Sequence, residues 1–436
     1  MTMIRSASRR VARWLALLLG GGVFLAASLA AEPEAELRAG VVRIDITPKI
    51  PVTMAGYESR TELSQGVHDP LSARIVAFTQ NGQKLVLVST DILGYYGGTA
   101  ESMRTAILDA CHLQPAELFL TAIHTHSGPN LALTLEKGHS NNVAYTRALE
   151  AQLIAAIRQA LSETVPVKIG TGSGASSVGC NRRQLIYDDS GNPKISLGRN
   201  PAAPIDREVQ VVKIAQTEGN ALTAILFAYA THSTSMGPKN YMISGDVHGL
   251  AEQFLEKYHG SPVIAPAFAG ASGDIDPWFR VLPEFKTEKG WVPESVLMGT
   301  LLGEEVEQVA GRIQKLEGQA PLHTAFKTLA LPGKPRGETR VTGKMTSSSF
   351  NLTVGRVGGV AFVGLGGEVF NDIGLAIKNS SPFVPTIIIT HCNGTAGYLP
   401  VARAYLEGGY EVQSSQFAPG AAEIVIKEAL GMLHEL

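Results

Sequence analysis

The segment Leu118-Phe-Leu-Thr-Ala-Ile-His-Thr-His-Ser-Gly-Pro129 places two histidines directly after an apolar run. The run from Leu118 to Ile123 is typical of a buried strand, and alternation along a strand predicts that His124 and His126 lie on the same side. The Ser-Gly-Pro turn then ends the strand, so both imidazoles are expected at a strand end, where α/β proteins bind their ligands. Two such imidazoles are half of many zinc sites. The alternative is two polar residues at the mouth of a loop.

Apolar runs of strand length alternate with helical patterns along the rest of the chain. The predicted strands are 41–46, 85–90, 118–123, 167–170, 209–214, 222–230, 263–268, 324–331, 351–357, 359–363 and 386–390, and the predicted helices are 100–113, 142–161, 249–258, 294–316, 368–378 and 418–433. Asn141 or Asn142 is a candidate cap for the second helix. This order predicts an α/β fold of mixed β-sheets with flanking helices. Because no linker separates two compact halves, we expect a single large catalytic domain over residues 38–436.

The composition is ordinary for a globular enzyme. The chain has 436 residues, of which 44% are hydrophobic and 17% charged, and a formal net charge of −2. Neither a basic face nor a nucleic-acid-binding motif is present, so no nucleic-acid partner is expected. The three cysteines, Cys111, Cys180 and Cys392, show no CxxC spacing. One disulfide with a leftover thiol and three buried free thiols both remain open.

The first thirty residues have the pattern of a secretory signal peptide. Four arginines between Arg5 and Arg13 precede an apolar run that begins at Trp14 and ends in small residues near Ala30. We therefore expect a signal peptide over residues 1–30, a short acidic linker over residues 31–37, and export to the periplasm or the medium. An uncleaved leader would instead anchor the protein in a membrane.

Several later strand ends carry a polar residue among Gly, Ser and Pro, which permit tight turns and close backbone approach. These residues are His232, Asp274 and Asp276, Glu368, and the group His391, Asn393 and Tyr398. Each has an ordinary structural explanation when taken alone. His232 could be a satisfied structural histidine, Glu368 could favour a helix dipole, and Asp276 could cap a turn before proline.

In this order the motifs resemble those of the neutral/alkaline (non-lysosomal) ceramidases, in their N-terminal catalytic domain. The matching segments are Asp45-Ile-Thr-Pro48, Ala55-Gly-Tyr57, His124-Thr-His-Ser-Gly-Pro129, Asn181-Arg182, His232 with Ser235-Met236, Gly273-Asp274, Gly367-Glu368, and Gly397-Tyr398 with Tyr410-Glu411. The resemblance implies one zinc ion per chain. Its ligands would be His124, His232, Glu368 and Tyr398, and the residues lining the site would be His126, Arg182 and Tyr410.

The resemblance further implies a hydrolase of linear amide bonds. The protein would cleave the N-acyl bond of ceramide, or of a related N-acyl lipid, to a fatty acid and a sphingosine-like amine with zinc-activated water. His126, Arg182 or Tyr410 would stabilise the oxyanion, and one of them or a nearby carboxylate would protonate the amine. Transient contact with a membrane surface is expected, and the oligomeric state is open. The alternatives are a zinc hydrolase of another N-acyl compound, such as an N-acylated amino acid or sugar, or of an ester, and a non-catalytic relative that binds a lipid or polymer.

Two features depart from the family pattern. Asp276 stands where the family has a serine, and we predict that it acts as a general base or orients water or substrate, with turn capping as the alternative. Ceramidases also carry a β-sandwich domain after the catalytic one, whereas this sequence ends at Leu436. A chain without that domain is expected to act on a smaller or more soluble amide.

Overall fold

The computed structural model describes residues 36–278, 294–338 and 346–436. The signal peptide predicted over residues 1–30 and most of the linker predicted over residues 31–37 lie outside them. The described helices are α1 (Thr99–Cys111), α2 (Ser140–Ser162), α3 (Asp246–His259), α4 (Glu294–Arg312), α5 (Asn371–Ser380), α6 (Ala404–Glu407), α7 (Tyr410–Ser414) and α8 (Ala421–His434). The described strands are β1 (Arg38–Asp45), β2 (Gly66–Val67), β3 (Ser72–Gln80), β4 (Gln83–Thr90), β5 (Leu118–Ala122), β6 (Val165–Ala175), β7 (Gly179–Asn181), β8 (Arg183–Tyr187), β9 (Pro193–Leu197), β10 (Glu208–Gln216), β11 (Leu222–Tyr229), β12 (Met242–Ile243), β13 (Ala267–Ala269), β14 (Ile275–Pro277), β15 (Leu322–Gly333), β16 (Thr346–Val357), β17 (Val360–Leu365), β18 (Glu368–Val369), β19 (Thr386–Ile389) and β20 (Tyr398–Leu399).

Two mixed sheets form the centre of the fold. The larger has eight strands in the order β13-β11-β10-β6-β1-β3-β4-β5, and the smaller has four in the order β15-β16-β17-β19. Most neighbours are antiparallel, but β4 with β5, β11 with β13, and β17 with β19 are parallel. The α/β fold of mixed sheets with flanking helices predicted from the sequence is therefore confirmed.

The alternation of side chains in the large sheet explains how the layers stack. Val88 and Leu120 face α1 and α2, whereas their strand neighbours Leu87 and Phe119 face the four-stranded sheet. The other half of the large sheet packs on α3 and α4, and the outer face of the small sheet packs on α5 and α8. The result is four layers: helices, eight-stranded sheet, four-stranded sheet and helices. Among the described residues, none of the helices combines the length and apolar character that a bilayer span requires.

Short strand pairs at the ends of the sheets position the polar residues that the sequence singled out. Glu368 in β18 is the direct partner of Tyr398 in β20, in parallel pairing. Asp276 in β14 lies opposite Cys180 in β7. Arg182 directly follows β7, so these two small sheets bring four separate parts of the chain to one edge of the fold.

Some element boundaries differ from the sequence prediction. Strand β5 ends at Ala122, and His124 has a left-handed backbone with φ 61°, so the two histidines do not alternate along a strand as predicted. The helix predicted from residue 368 begins at Asn371, because Glu368 is held in β18. The strand predicted over residues 263–268 is reduced to β13.

The cap predicted for α2 was also wrong. The cap residue is His139, whose Nδ1 accepts a hydrogen bond from the backbone N–H of Asn141 at 3.1 Å. The side chain of Asn142 instead pairs with the main chain of Thr53, which ties α2 to the loop that borders the site.

Candidate metal centre

Three histidines from two strand ends converge at one point. The candidate ligand atoms of His124, His126 and His232 all lie within 4.8 Å of one another. The backbone brings them together, because the N–H of His126 donates to the carbonyl of Ser233 at 3.0 Å, next to His232. The segment after β5 and the segment after β11 are thereby joined side by side.

Main-chain carbonyls orient the three rings. Each Nδ1 lies within hydrogen-bond distance of a carbonyl oxygen, which can only accept, so we assign the hydrogen to Nδ1 and a lone pair to Nε2. The pairs are His124 with Leu93 at 2.7 Å, His232 with Ser272 at 2.7 Å, and His126 with Gly56 at 3.1 Å. Such second contacts orient the histidine ligands of metal sites.

Glu368 completes the set of candidate ligands. Its Oε2 lies 3.4 Å from Nε2 of both His124 and His232 and is a buried oxygen without a hydrogen-bond donor. Its Oε1 accepts a hydrogen bond from the hydroxyl of Tyr96 at 2.9 Å. A buried carboxylate oxygen that faces two lone pairs requires a positive charge between them. Two or three imidazoles and a carboxylate are a donor set that suits Zn²⁺, so the residues present fit the expected metal.

The electrostatics keep the imidazoles in the form that binds a metal. Burial lowers the pKa of His126 well below its ordinary value, and the neighbouring histidines lower it further. Burial and the positive charge of Arg182 lower the pKa of His232. Both rings are therefore neutral at pH 7, as metal ligation requires.

Arg182 lies beside the histidines in a second group of contacts. It donates from Nε to Glu411 at 2.9 Å, from Nη1 to Asp276 at 3.1 Å and from Nη2 to the hydroxyl of Tyr398 at 3.0 Å. Nη1 also lies 3.3 Å from Nε2 of His232. This buried guanidinium therefore links two carboxylates to the edge of the histidine cluster.

The structure brings all the residues expected at the site into one neighbourhood. The Tyr398 ring meets the ring of the half-exposed Tyr410 edge-on, with centroids 5.6 Å apart. Asp276 is buried and accepts hydrogen bonds at Oδ1 from Arg182 and from Thr234, the latter at 3.4 Å. Both donors belong to the groups that surround the histidines.

A cavity of about 610 Å³ opens onto the cluster. Its wall includes His124, His126, Glu368, Tyr398 and Tyr410. This volume falls in the range of pockets that bind small molecules, so the candidate ligands lie on the wall of a space that a substrate can enter.

Two contacts at the cluster were missed by sequence reasoning. Tyr96 belongs to the loop after β4, where no periodic pattern or motif marks it. His391 stood at a predicted strand end but was given no role, and its ring stacks on His124 with centroids 3.8 Å apart and planes 13° apart. Both His124 and His391 have left-handed backbones, with φ of 61° and 53°. Such conformations in residues other than glycine cluster at functional sites.

Comparison with known proteins agrees with this geometry. Residues 37–278 match the family model described as neutral/alkaline non-lysosomal ceramidase, N-terminal. A neutral ceramidase of Oryza sativa subsp. japonica is 27% identical over 280 residues, which are 61% of this chain and 34% of the relative. A neutral ceramidase of Pseudomonas aeruginosa is 29% identical over 286 residues, which are 61% of this chain and 41% of the relative. The matched part of this chain thus spans well under half the length of these curated relatives.

Solved structures show the same fold. The crystal structure of neutral ceramidase from Pseudomonas aeruginosa superimposes with a TM-score of 0.73 at 17% identity, over 93% of this chain and 75% of that one. A structure described as ceramidase complexed with C2 gives a TM-score of 0.71 at 16% identity, over 92% of this chain and 76% of that one. At these identities the likeness establishes the architecture.

Proposed function

Because the chain belongs to the neutral/alkaline non-lysosomal ceramidase family, we propose that it is a zinc-dependent amidohydrolase that cleaves the N-acyl bond of ceramide or of a related N-acyl compound. The observation that carries the proposal is the position of Glu368 Oε2, buried without a donor at 3.4 Å from Nε2 of both His124 and His232. The cavity beside these atoms gives a substrate access to them.

His124, His232, Glu368 and Tyr398 would hold the ion, and His126 would line the site beside them. When bound, zinc polarises an amide carbonyl and makes water acidic enough to act as a nucleophile near neutral pH. In the reaction a bond forms between the water oxygen and the carbonyl carbon, the C–N bond breaks, and a proton passes to the leaving nitrogen. The products are a carboxylate and an amine.

The residues around the ion supply proton transfer and orientation. His126 is neutral because of its burial, and its Nε2 faces the cluster at 3.3 Å from Nε2 of His124. It can take a proton from water and return it to the leaving nitrogen. Arg182 holds the hydroxyl of Tyr398 in place and adds positive charge where the oxyanion develops, while Tyr410 borders the cavity at the same side.

The candidate roles of Asp276 differ in what they predict. The sequence leaves open a general base, an orienter of water or substrate, and a turn cap, whereas its hydrogen bonds with Arg182 and Thr234 support a role in positioning Arg182. In Asp276→Asn a lost general base lowers kcat by about 10²–10⁴-fold. An amide oxygen still accepts from Arg182, so a positioning role predicts a loss of about tenfold or less. Asp276→Ser, which restores the residue typical of the family, is the matched control.

Activity is tested with the purified, zinc-loaded protein. A fluorescent short-chain ceramide and a panel of N-acyl amino acids are incubated with it, and the released fatty acid and amine are measured. We expect hydrolysis of at least one amide and its loss in His124→Ala. A zinc-loaded protein that binds these compounds but cleaves none of them would favour the non-catalytic alternative.

We also propose that the protein is exported, on the strength of the leader pattern in residues 1–30. Cell fractionation with N-terminal sequencing of the mature chain tests this. A protein found only in the cytoplasm with its leader intact would contradict it.

A further inference from the structure

We propose that the amide bound in this cavity carries a negatively charged group, such as a carboxylate, so that the preferred substrate is an N-acyl amino acid or a similar anionic amide rather than uncharged ceramide. The inference rests on the amide hydrolysis proposed above and names the class of its substrate. It is carried by two arginines on the cavity wall.

Arg60 is a buried cation that lacks an acidic partner. It is 8% exposed and lines the cavity, and among the described residues no carboxylate lies within ion-pair distance of it. Its Nη atoms donate to the main-chain carbonyls of Ala55, His126 and Asn240, and its Nε is buried without a partner. Its guanidinium lies 4.9 Å from the ring centroid of Tyr57. Carbonyl dipoles and an aromatic face therefore stabilise this charge only in part.

The other buried arginines in the described part of the chain differ from Arg60 on this point. Arg74, Arg182 and Arg183 each form an ion pair with at least two carboxylates. Burying a charge without an opposite charge is costly, so the fold elsewhere supplies acids where it buries guanidinium groups. Burial lowers the pKa of Arg60 to about 10, which leaves it protonated at neutral pH. The missing negative charge is the one that a ligand in the cavity would bring.

Arg336 adds a second positive charge to the same cavity. It is exposed, and its Nη2 donates to the side-chain amide oxygen of Gln416, an uncharged group, at 3.4 Å. It borders Gly397, since a Cβ on that glycine would lie 3.8 Å from Nη2 of Arg336. Because Tyr398 follows Gly397, Arg336 is close to the candidate metal ligands and reachable by a substrate.

The acids of the cavity balance the two arginines in number, so a bound divalent cation leaves the cavity with a net positive charge. Two carboxylates line it, those of Glu58 and Glu368. Glu368 belongs to the candidate metal centre, where Tyr96 and two histidines contact it. With a divalent cation bound, the cavity therefore has a positive potential, and such a site concentrates anions.

Few aliphatic side chains line the cavity. Met54, Ala55 and Leu93 are the aliphatic side chains among the residues that line the cavity. The tyrosines Tyr57, Tyr96, Tyr398 and Tyr410 provide further apolar surface but end in hydroxyl groups. Pockets for apolar ligands are lined mainly by hydrophobic side chains. This wall instead suits one short acyl chain attached to a polar, charged group.

Matched pairs of amides test the proposal on the zinc-loaded protein. N-octanoylglycine is compared with N-octanoylglycinamide, in which an uncharged amide of similar size replaces the carboxylate, and with a short-chain ceramide. A second pair, N-octylsuccinamic acid and its neutral amide, places the carboxylate on the acyl side. We expect kcat/KM to be at least about tenfold higher for one of the anionic compounds than for its neutral partner, as one charge-assisted hydrogen bond would give.

Substitution of the exposed arginine links that preference to the cavity. In Arg336→Gln the ratio of kcat/KM for the anionic and neutral compounds is expected to fall about tenfold, mainly through KM. Arg147→Gln, which removes an exposed arginine from α2, is the matched control and should leave the ratio unchanged. Arg60→Lys keeps the buried charge and should retain the preference, whereas Arg60→Gln should reduce it where the protein folds.

The possible failures are distinguishable. If neither pair nor ceramide is hydrolysed, the proposed amidohydrolase activity fails. The charge preference is wrong if kcat/KM for the neutral amides or ceramide equals that for the anionic compounds, or if Arg336→Gln leaves the ratio unchanged. In both cases the amidohydrolase activity stands.

Discussion

Two buried polar clusters lie close together in this fold and are built on opposite principles. In the first, Arg74 of β3 binds Asp91, Glu252 and Glu256, and Arg43 of β1 also binds Glu256. In the second, the three histidines and Glu368 present lone pairs to one another at the cavity. The first cluster supplies its own counter-charges, whereas the second lacks one.

The charges of the Arg74 cluster are paired within the protein. Burial raises the pKa of both Asp91 and Glu252. The carboxyl groups of this pair and of Glu256 face the guanidinium groups of Arg74 and Arg43. The histidine cluster has no such match for Glu368 Oε2. The difference indicates that the first cluster stabilises the fold and that the second is built to bind a cation.

Removing the cation from the Arg74 cluster is expected to have the largest effect on stability. Arg74→Met leaves Asp91 and Glu252 buried without a guanidinium and Glu256 with Arg43 alone, which costs about 3–5 kcal/mol in the free energy of unfolding. Urea denaturation at pH 7 measures this. Arg147→Met, on the exposed side of α2, is the control and should change stability by less than about 0.5 kcal/mol. A cost below about 1 kcal/mol for Arg74→Met would remove the distinction between the clusters.

Tyr95 and Tyr96 are neighbours in the sequence, but Tyr95 packs in the core and Tyr96 contacts the candidate metal centre. Tyr96 donates to Glu368, whereas the hydroxyl of the buried Tyr95 pairs with Thr90 at 3.0 Å. In Tyr96→Phe the carboxylate loses the group that orients it, so zinc affinity should fall by about 10–100-fold in competition with a chelator. Tyr95→Phe should lower stability by about 1 kcal/mol and leave zinc affinity unchanged. Equal zinc affinities in the two variants would show that Tyr96 does not orient Glu368.

His248 connects the two clusters and gives a pH test. It lies on α3 together with Glu252 and Glu256, and its Nδ1 contacts the hydroxyl of Ser233, next to His232, at 2.8 Å. Burial lowers its pKa to about 4 in the folded state, below the ordinary value of 6.5. The unfolded chain therefore binds the proton first, so this contribution to stability is present above pH 6.5 and is lost as the pH falls towards 4. Between pH 7 and pH 5 the loss is about 2 kcal/mol.

His248→Gln isolates that contribution. The fall in the free energy of unfolding between pH 7 and pH 5 should be smaller in this variant by about 2 kcal/mol, because glutamine does not titrate. His323→Gln is a control, since the side chain of His323 is exposed on β15. If His248→Gln has the same pH dependence as the unmodified protein, the pKa of His248 in the folded state is close to its ordinary value and burial does not keep the ring neutral.

The sequence identified the strand ends that meet at the candidate metal centre because their chemistry is local. An apolar run followed by His, Glu or Asp among glycines is visible at His124, His232 and Glu368, and the alternation of strands and helices predicted the sheets. The distances between these residues in the fold depend on long-range strand pairing, such as that of Glu368 with Tyr398, which no short sequence pattern contains. The left-handed turn at His124 was missed because the apolar pattern continues through Ile123 while the backbone leaves the sheet.

Contacts that cross the fold were beyond prediction from the sequence. Tyr96 and Glu368 are 272 positions apart, and the hydrogen bond between them follows from the packing of separate loops. The role proposed for Arg60 could not be predicted either, because it depends on the absence of a nearby carboxylate among the described residues, which only the folded structure reveals. The sequence thus identified the candidate metal ligands more readily than the residues that orient them or select the substrate.

Zinc binding tests the central claim most directly. Metal-free protein is titrated with Zn²⁺ in a calorimeter, alongside His124→Ala and Glu368→Gln, and the folding of each variant is checked by circular dichroism. We expect one tightly bound zinc per chain in the unmodified protein and loss of that binding in both folded variants. Far less than one zinc per chain in the unmodified protein, or unchanged binding in the variants, would contradict the assignment of this cluster as a metal centre.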